Sequence, residues 1–232
     1  MRPVNVLALD TSTDRLSLAV ARGAARFERD LTVGQRHAET VFAELRGLLA
    51  EARLTVGDID AYVFGAGPGA FTGLRIACGV VQGLAEARGA PVLGVSCLEA
   101  IAWASGADRA VVCIDARMGE VYHAAYRRAA DNTMTVVIPP SVVAPDAVPL
   151  PEDAGWTGCG SGFRVHGSAL TARHGPLLSQ VNADLHPTAI AMLAIALPRL
   201  AAGAGGEPSL AAPMYLRDRV AFTVAERAER KP

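Results

Sequence analysis

Lysine is almost missing from this chain: it occurs once, at Lys231, so the positive charge is carried by arginine. Lys and Arg together number 22 against 23 Asp and Glu, a formal net charge of −1, and no block of like charge interrupts the sequence. A protein that grips RNA unaided carries a basic face; the composition offers none. Aromatics are scarce at 5%, so a core must be built mostly from Ala, Val and Leu. The cysteines Cys78, Cys97, Cys113 and Cys159 form no C-x-x-C pair and lie in apolar runs, as free buried thiols in a reduced compartment do. No apolar run reaches the roughly 18 residues that a membrane span requires. The first such run, Val4 to Leu9, meets Asp10 too early for a signal sequence. A soluble cytoplasmic protein is expected.

Metal and nucleophile signatures are missing as well. His37, His123, His166, His174 and His186 form no H-x-x-x-H or H-E-x-x-H pair. No G-x-S-x-G elbow surrounds Ser12. Asp10, Thr11 and Ser12 at a strand end suit either a magnesium-bound phosphate or a capped turn. Glu99, Asp115 and Glu120 are acids that the sequence gives no means of pairing.

What is present is an α/β pattern that restarts. Val4–Leu9 reads as a buried strand, then LSLAVAR and Ala24–Thr32 as two more. Val41, Phe42, Leu45, Leu48, Leu49 and Ala52 recur at helical spacing within Gln35–Arg53. A strand at Ala61–Gly65, a helix from about Thr72 to Arg88, a strand at Pro91–Ser96 and a short helix at Leu98–Ser105 follow. Ala110–Ile114 then ends at Asp115 and leads through a turn into VYHAAYRR and a strand at Met134–Ile138. Strand, aspartate, polar turn, strand, strand occurs twice, which predicts two related lobes, 1–105 and 106–232. Pro139 to Asp153 reads as a surface connection, Thr188–Ala202 as a helix, and GAGGEP as a flexible joint.

The stretch GAGPGAFTGLR, Gly65 to Arg75, is the sharpest feature. It lacks the Lys-Ser/Thr ending of a P-loop and the spacing G-x-G-x-x-G. A strand-to-helix turn with Thr72 as N-cap is the plainer reading. Inside the following helix Gly79 and Gly83 each cost about 0.5–1 kcal/mol relative to alanine, which suggests a close backbone neighbour: the preceding helix or a second subunit. Val41, Leu45 and Leu48 read by default as core.

Four stretches, LALDTST, GAGPGAFTGLRI, DARMGEVY and PMYLRD, together resemble the TsaB (YeaZ) family. Met134 to Ala183 carries little of the likeness. The resemblance implies a two-lobed actin-like fold (ASKHA, ribonuclease H-like), with mixed sheets flanked by helices, and kinship with the catalytic, metal-binding TsaD. It implies a non-catalytic subunit for placing the threonylcarbamoyl group on an adenosine of tRNAs reading ANN codons. Where the relative has two metal-binding histidines, this chain has Cys97 and Ile101, and isoleucine cannot ligate. Ala116, Arg117 and Met118 replace glycines after Asp115.

Further implied are a TsaD-type partner, a TsaE-type ATPase, tRNA contact only through the complex, and a homodimer when alone. No tightly bound cofactor is expected. ATP or ADP at a subunit boundary is left open, with Asp10, Thr11 and Ser12 as candidates. The implied interface comprises Val41, Leu45, Leu48, Arg75, Ile76, Gly79, Val80 and Gly83. The alternative is a stand-alone ATP-binding hydrolase or glycoprotease-like peptidase.

Overall fold

The structure, a computed structural model, describes residues 4–217. Asp218, the end of the PMYLRD motif, and Lys231 lie outside the described residues. Strand β1 (Asn5–Asp10) pairs antiparallel with β2 (Arg15–Arg22), and β2 with β3 (Ala25–Thr32). Alternation puts Leu7, Leu9, Leu16 and Leu18 on one face and Val6, Ala8, Ala19 and Ala21 on the other. Both faces are covered. Helix α1 (His37–Glu51), β4 (Ala61–Gly67), helix α2 (Phe71–Glu86) and β5 (Val92–Ser96) complete a five-stranded sheet of order β3-β2-β1-β4-β5. β4 runs parallel to β1, and β5 parallel to β4.

After α3 (Cys97–Ala104) the same plan repeats. β6 (Arg109–Asp115), β7 (Val121–Arg128) and β8 (Met134–Val143) form a second antiparallel meander. β9 (Trp156–Cys159) adds parallel to β6, and β10 (Leu178–Asn182) parallel to β9, giving the order β10-β9-β6-β7-β8. Helices α4 (Gly162–Val165) and α5 (Gly167–His174) join β9 to β10. The pairing order and direction of β1 to β5 are reproduced by β6 to β10, so the echo at Asp10 and Asp115 marks two lobes of one topology, the two-lobed actin-like α/β fold.

Three apolar clusters hold the layers together. α1 and α2 cover the leucine face of the first sheet, and α4 and α5 cover Val111, Cys113 and Trp156 on the second. Between the sheets lie α3 and α6 (Ala189–Ala201), whose Ile101, Met192 and Leu193 share one cluster with Val6 and Ala8 of the first sheet and Val112 and Tyr126 of the second.

Several expectations are corrected here. α6 packs on β1, β2, β4 and β5, and its first amide, Ala189 N–H, donates to Ser17 Oγ at 2.8 Å, so the chain returns to the first lobe instead of ending in the second. An almost wholly apolar helix can bury itself only where a bare sheet face is offered. The stretch read as a flexible joint is fastened: Gly206 and Val92 exchange backbone bonds of 3.0 and 2.9 Å along the edge of β5. β8 continues through Pro139 and Pro140, which is tolerated because it is an edge strand with a register shift opposite Ala125. Thr72 lies inside α2; the N-cap is Ala70, with no side-chain bond.

Candidate functional site

The glycine loop between β4 and α2 is seated against the β1–β2 turn. A Cβ on Gly65 would stand 1.9 Å from Asp10 Oδ2, one on Gly69 2.7 Å from Ser12, and one on Gly73 1.8 Å from the Thr11 carbonyl oxygen. Ala70 N–H donates to the Ser12 carbonyl at 2.8 Å, and Thr11 Oγ1 donates to the Gly73 carbonyl at 2.7 Å. Glycine at every fourth position lets two backbone segments touch. The fourth glycine, Gly67, adopts φ +115° and faces the Met214 carbonyl.

Asp10, Thr11 and Ser12 are accordingly buried, at 1%, 0% and 3% exposure. Asp10 Oδ1 accepts from Ser12 N–H and Oγ–H at 3.1 and 2.9 Å, and Oδ2 accepts from Cys97 Sγ at 3.6 Å. Desolvation pushes the Asp10 carboxyl up to about 6, against the opposing pull of the Ser12 bonds. Burial pushes the Cys97 thiol well up, and Ile101, one turn further along α3, is 1% exposed. These polar atoms are engaged with one another inside the lobe, so the arrangement fits a braced turn better than a phosphate cradle.

Asp115 ends β6 as Asp10 ends β1, but it faces a cleft of about 1050 Å3 between the lobes. Its carboxylate accepts from Arg117 N–H at 3.0 Å, pairs with the Arg117 guanidinium at 3.2 Å and lies 3.4 Å from His166 Nε2. Arg117 and Met118 both take left-handed backbone, φ +60° and +57°, at the tip of the β6–β7 turn. Arg217 reaches that turn, donating to Glu120 at 2.5 Å and to the Ala116 carbonyl at 3.1 Å. Glu120 is thus tied to the closing segment of the described chain, and Glu99 is in a close ion pair with Arg199. Among the described residues no group of three or more His, Cys, Asp or Glu is placed to hold a metal ion.

The helix pair divides the expected interface residues into two sets. Val41, Leu45 and Leu48 are 1%, 3% and 0% exposed and belong to the core cluster over the first sheet. That corrects their assignment to the partner face: the strongest apolar stripe of a surface helix faces its own sheet. Arg75, Gly79 and Gly83 lie on the outward side of α2, with Ile76 and Val80 half-buried at its border. A Cβ on Gly79 or Gly83 would meet nothing within 4 Å among the described residues. The preceding helix is therefore not the close neighbour that these glycines suggest. Exposed aromatics belong to the same two helices and the closing segment: Phe42, which the helical spacing places in the apolar stripe, and Phe71 and Tyr215, which sequence reasoning missed, at 51%, 42% and 47% exposure. Phe71 stands one turn before Arg75, a spacing that could have marked it. Tyr215 is brought in only by the fold, through Met214 N–H donating to the Ala66 carbonyl at 2.6 Å.

Comparison with known proteins agrees with this fold. Residues 32–156, more than half of the chain, match the family model described as TsaD, tRNA N6-adenosine threonylcarbamoyltransferase. The tRNA threonylcarbamoyladenosine biosynthesis protein TsaB of Escherichia coli K12 is 33% identical, over 94% of this chain and 97% of that protein. The TsaB protein of Haemophilus influenzae is 37% identical over 53% of each chain. YeaZ from Pseudomonas aeruginosa superimposes with a TM-score of 0.85 at 38% identity, covering 92% of this chain and 100% of that one. A further solved structure, of an uncharacterized Pseudomonas aeruginosa protein with similarity to peptidase YEAZ, gives 0.86 at the same identity and coverage. With near end-to-end similarity in sequence and a shared two-lobed fold, the chain belongs to the TsaB (YeaZ) family, within the wider group that the TsaD model describes.

Proposed function

We propose that this chain serves tRNA threonylcarbamoyladenosine formation as a non-catalytic subunit, binding a TsaD-type catalytic subunit through the outward side of α2 and the adjoining side of α1. The observation that carries the reading is the pair Gly79 and Gly83. Each weakens α2 by about 0.5–1 kcal/mol relative to alanine, and no neighbouring atom among the described residues within 4 Å requires either. A helix of another subunit crossing at backbone distance supplies the missing reason.

The peptidase and hydrolase alternative finds less support. Ser12, whose hydroxyl donates to Asp10, is 3% exposed, whereas a nucleophile needs access to its substrate. Any ATP or ADP would then lie at the boundary with the partner, where a TsaE-type ATPase also joins. Reconstitution tests the whole reading. With purified TsaD-type and TsaE-type proteins, threonylcarbamoyl-adenylate and tRNA, modification is expected only when this chain is added, and none from this chain alone. Full modification without it, or turnover by it alone, contradicts the proposal.

A further inference from the structure

At the head of the glycine stripe on α2 stands a guanidinium held in place by two aromatic side chains. The Arg75 Cζ lies 3.9 Å from the centroid of the Phe71 ring, one helical turn before it. Its Nε donates to Tyr215 Oη at 3.2 Å, and the Tyr215 and Phe71 rings are themselves 5.5 Å apart. One edge and one face of the fork are thus fixed. The terminal nitrogens have no acceptor and no carboxylate partner among the described residues; other arginines also lack a carboxylate, but Arg75 is the one fixed by both a stacked ring and a tyrosine hydroxyl beside the glycine stripe.

Residues 71, 75, 79 and 83 succeed one another at four-residue intervals, so Arg75 sits about one turn from the point of closest approach at Gly79. A fork held flat by stacking loses little further freedom on binding and matches a carboxylate bidentately. Building on the docking function proposed above, we infer that the Phe71–Arg75–Tyr215 cluster anchors the docking face by receiving an Asp or Glu side chain from the catalytic subunit's crossing helix. The surroundings favour a protein carboxylate over a nucleic-acid phosphate. Ile76, Val80 and the two open glycines adjoin the cluster, and the chain as a whole has a net charge of −1.

The test measures affinity for the purified TsaD-type subunit, and separately for tRNA, with Arg75→Glu, Arg75→Lys and Tyr215→Phe. Arg75 is exposed, so these variants are expected to fold, with melting temperatures checked alongside. Arg75→Glu should weaken binding to the catalytic subunit by about tenfold or more, a charge-assisted pair turned into repulsion. Arg75→Lys should retain part of it, because a point charge replaces the fork, and Tyr215→Phe should cost a few-fold. Raising the salt concentration should weaken binding by the wild type and by Arg75→Lys, and relieve the repulsion in Arg75→Glu. Wild-type affinity in Arg75→Glu overturns the carboxylate anchor while leaving docking intact. Loss of tRNA binding with protein binding preserved overturns it in favour of a phosphate. Failure of the folded wild type to bind the subunit at all overturns the docking function itself.

Discussion

Asp10 and Gly65 occupy adjoining space so tightly that a Cβ on the glycine would fall 1.9 Å from the carboxylate oxygen Oδ2. Neither can change independently. Gly65→Ala must displace a buried carboxylate together with the Met192 methyl 2.9 Å away, an overpacking change of about 1–3 kcal/mol. Urea unfolding should show that loss, with the denaturant slope unchanged; a neutral result would mean that the turn and the loop are not pressed together.

Burial of Asp10 and of His123 acts on stability in opposite directions. The Asp10 carboxyl is raised by desolvation from 3.8 to about 6. It therefore favours the fold fully below 3.8 and loses that contribution as pH rises towards 6. His123, buried without a hydrogen-bond partner for either ring nitrogen among the described residues, is lowered by desolvation from 6.5 to about 4, and the neighbouring His174 is lowered too. Their contribution is present above 6.5 and lost as pH falls towards 4. Between pH 4 and 6 the aspartate and the histidines therefore oppose one another, and the wild-type profile should be flatter than the one left by removing Asp10. Asp10→Asn should leave a profile that falls on acidification, and His123→Phe one that falls as pH rises, with a difference of roughly 3 kcal/mol for the Asp10 shift. Equal slopes in both variants contradict the assignment.

Ser17 Oγ accepts from the first amide of α6 and is buried at 3% exposure. Ser17→Ala should cost about 1–2 kcal/mol by leaving that N–H without a partner. Hydrogen exchange should then speed up at the start of α6, far along the chain from the substitution. Unchanged protection there would detach the helix from the first sheet.

Much of the fold is legible because each of its elements carries one simple apolar pattern. β2, β7, α1 and α2 repeat their apolar residues at intervals of two or of three and four, β1 and β6 carry short unbroken apolar runs, and the acid closing each of those runs marks the duplication. The stretch from Pro139 to Asn182 is not, because its elements are short and interrupted: β9 has 4 residues, α4 has 4, and Gly160 and Gly162 there fit against Cys113 only in three dimensions. The return of α6 to the first lobe is equally hidden, since an apolar helix does not state which sheet it covers. The candidate site divides in the same way. Arg75, Gly79 and Gly83 stand out as oddities within a helix. Val41, Leu45 and Leu48 do not separate core from interface, because both are apolar. Tyr215 joins Phe71 across a long stretch of sequence only through the chain's path past Ala66.

The two open glycines make the isolated chain less stable than it could be. Gly79→Ala and Gly83→Ala should each raise its stability by about 0.5–1 kcal/mol, since the added methyl meets nothing within 4 Å among the described residues. Destabilisation by either, seen in thermal unfolding, would reveal an intramolecular role for that glycine.

The most direct measurement is the affinity of Gly79→Leu and Gly83→Leu for the TsaD-type catalytic subunit, taken beside their melting temperatures. A close-crossing helix interface predicts at least about tenfold weaker binding by chains that are as stable as the wild type or more so. Wild-type affinity in both stable variants would contradict it.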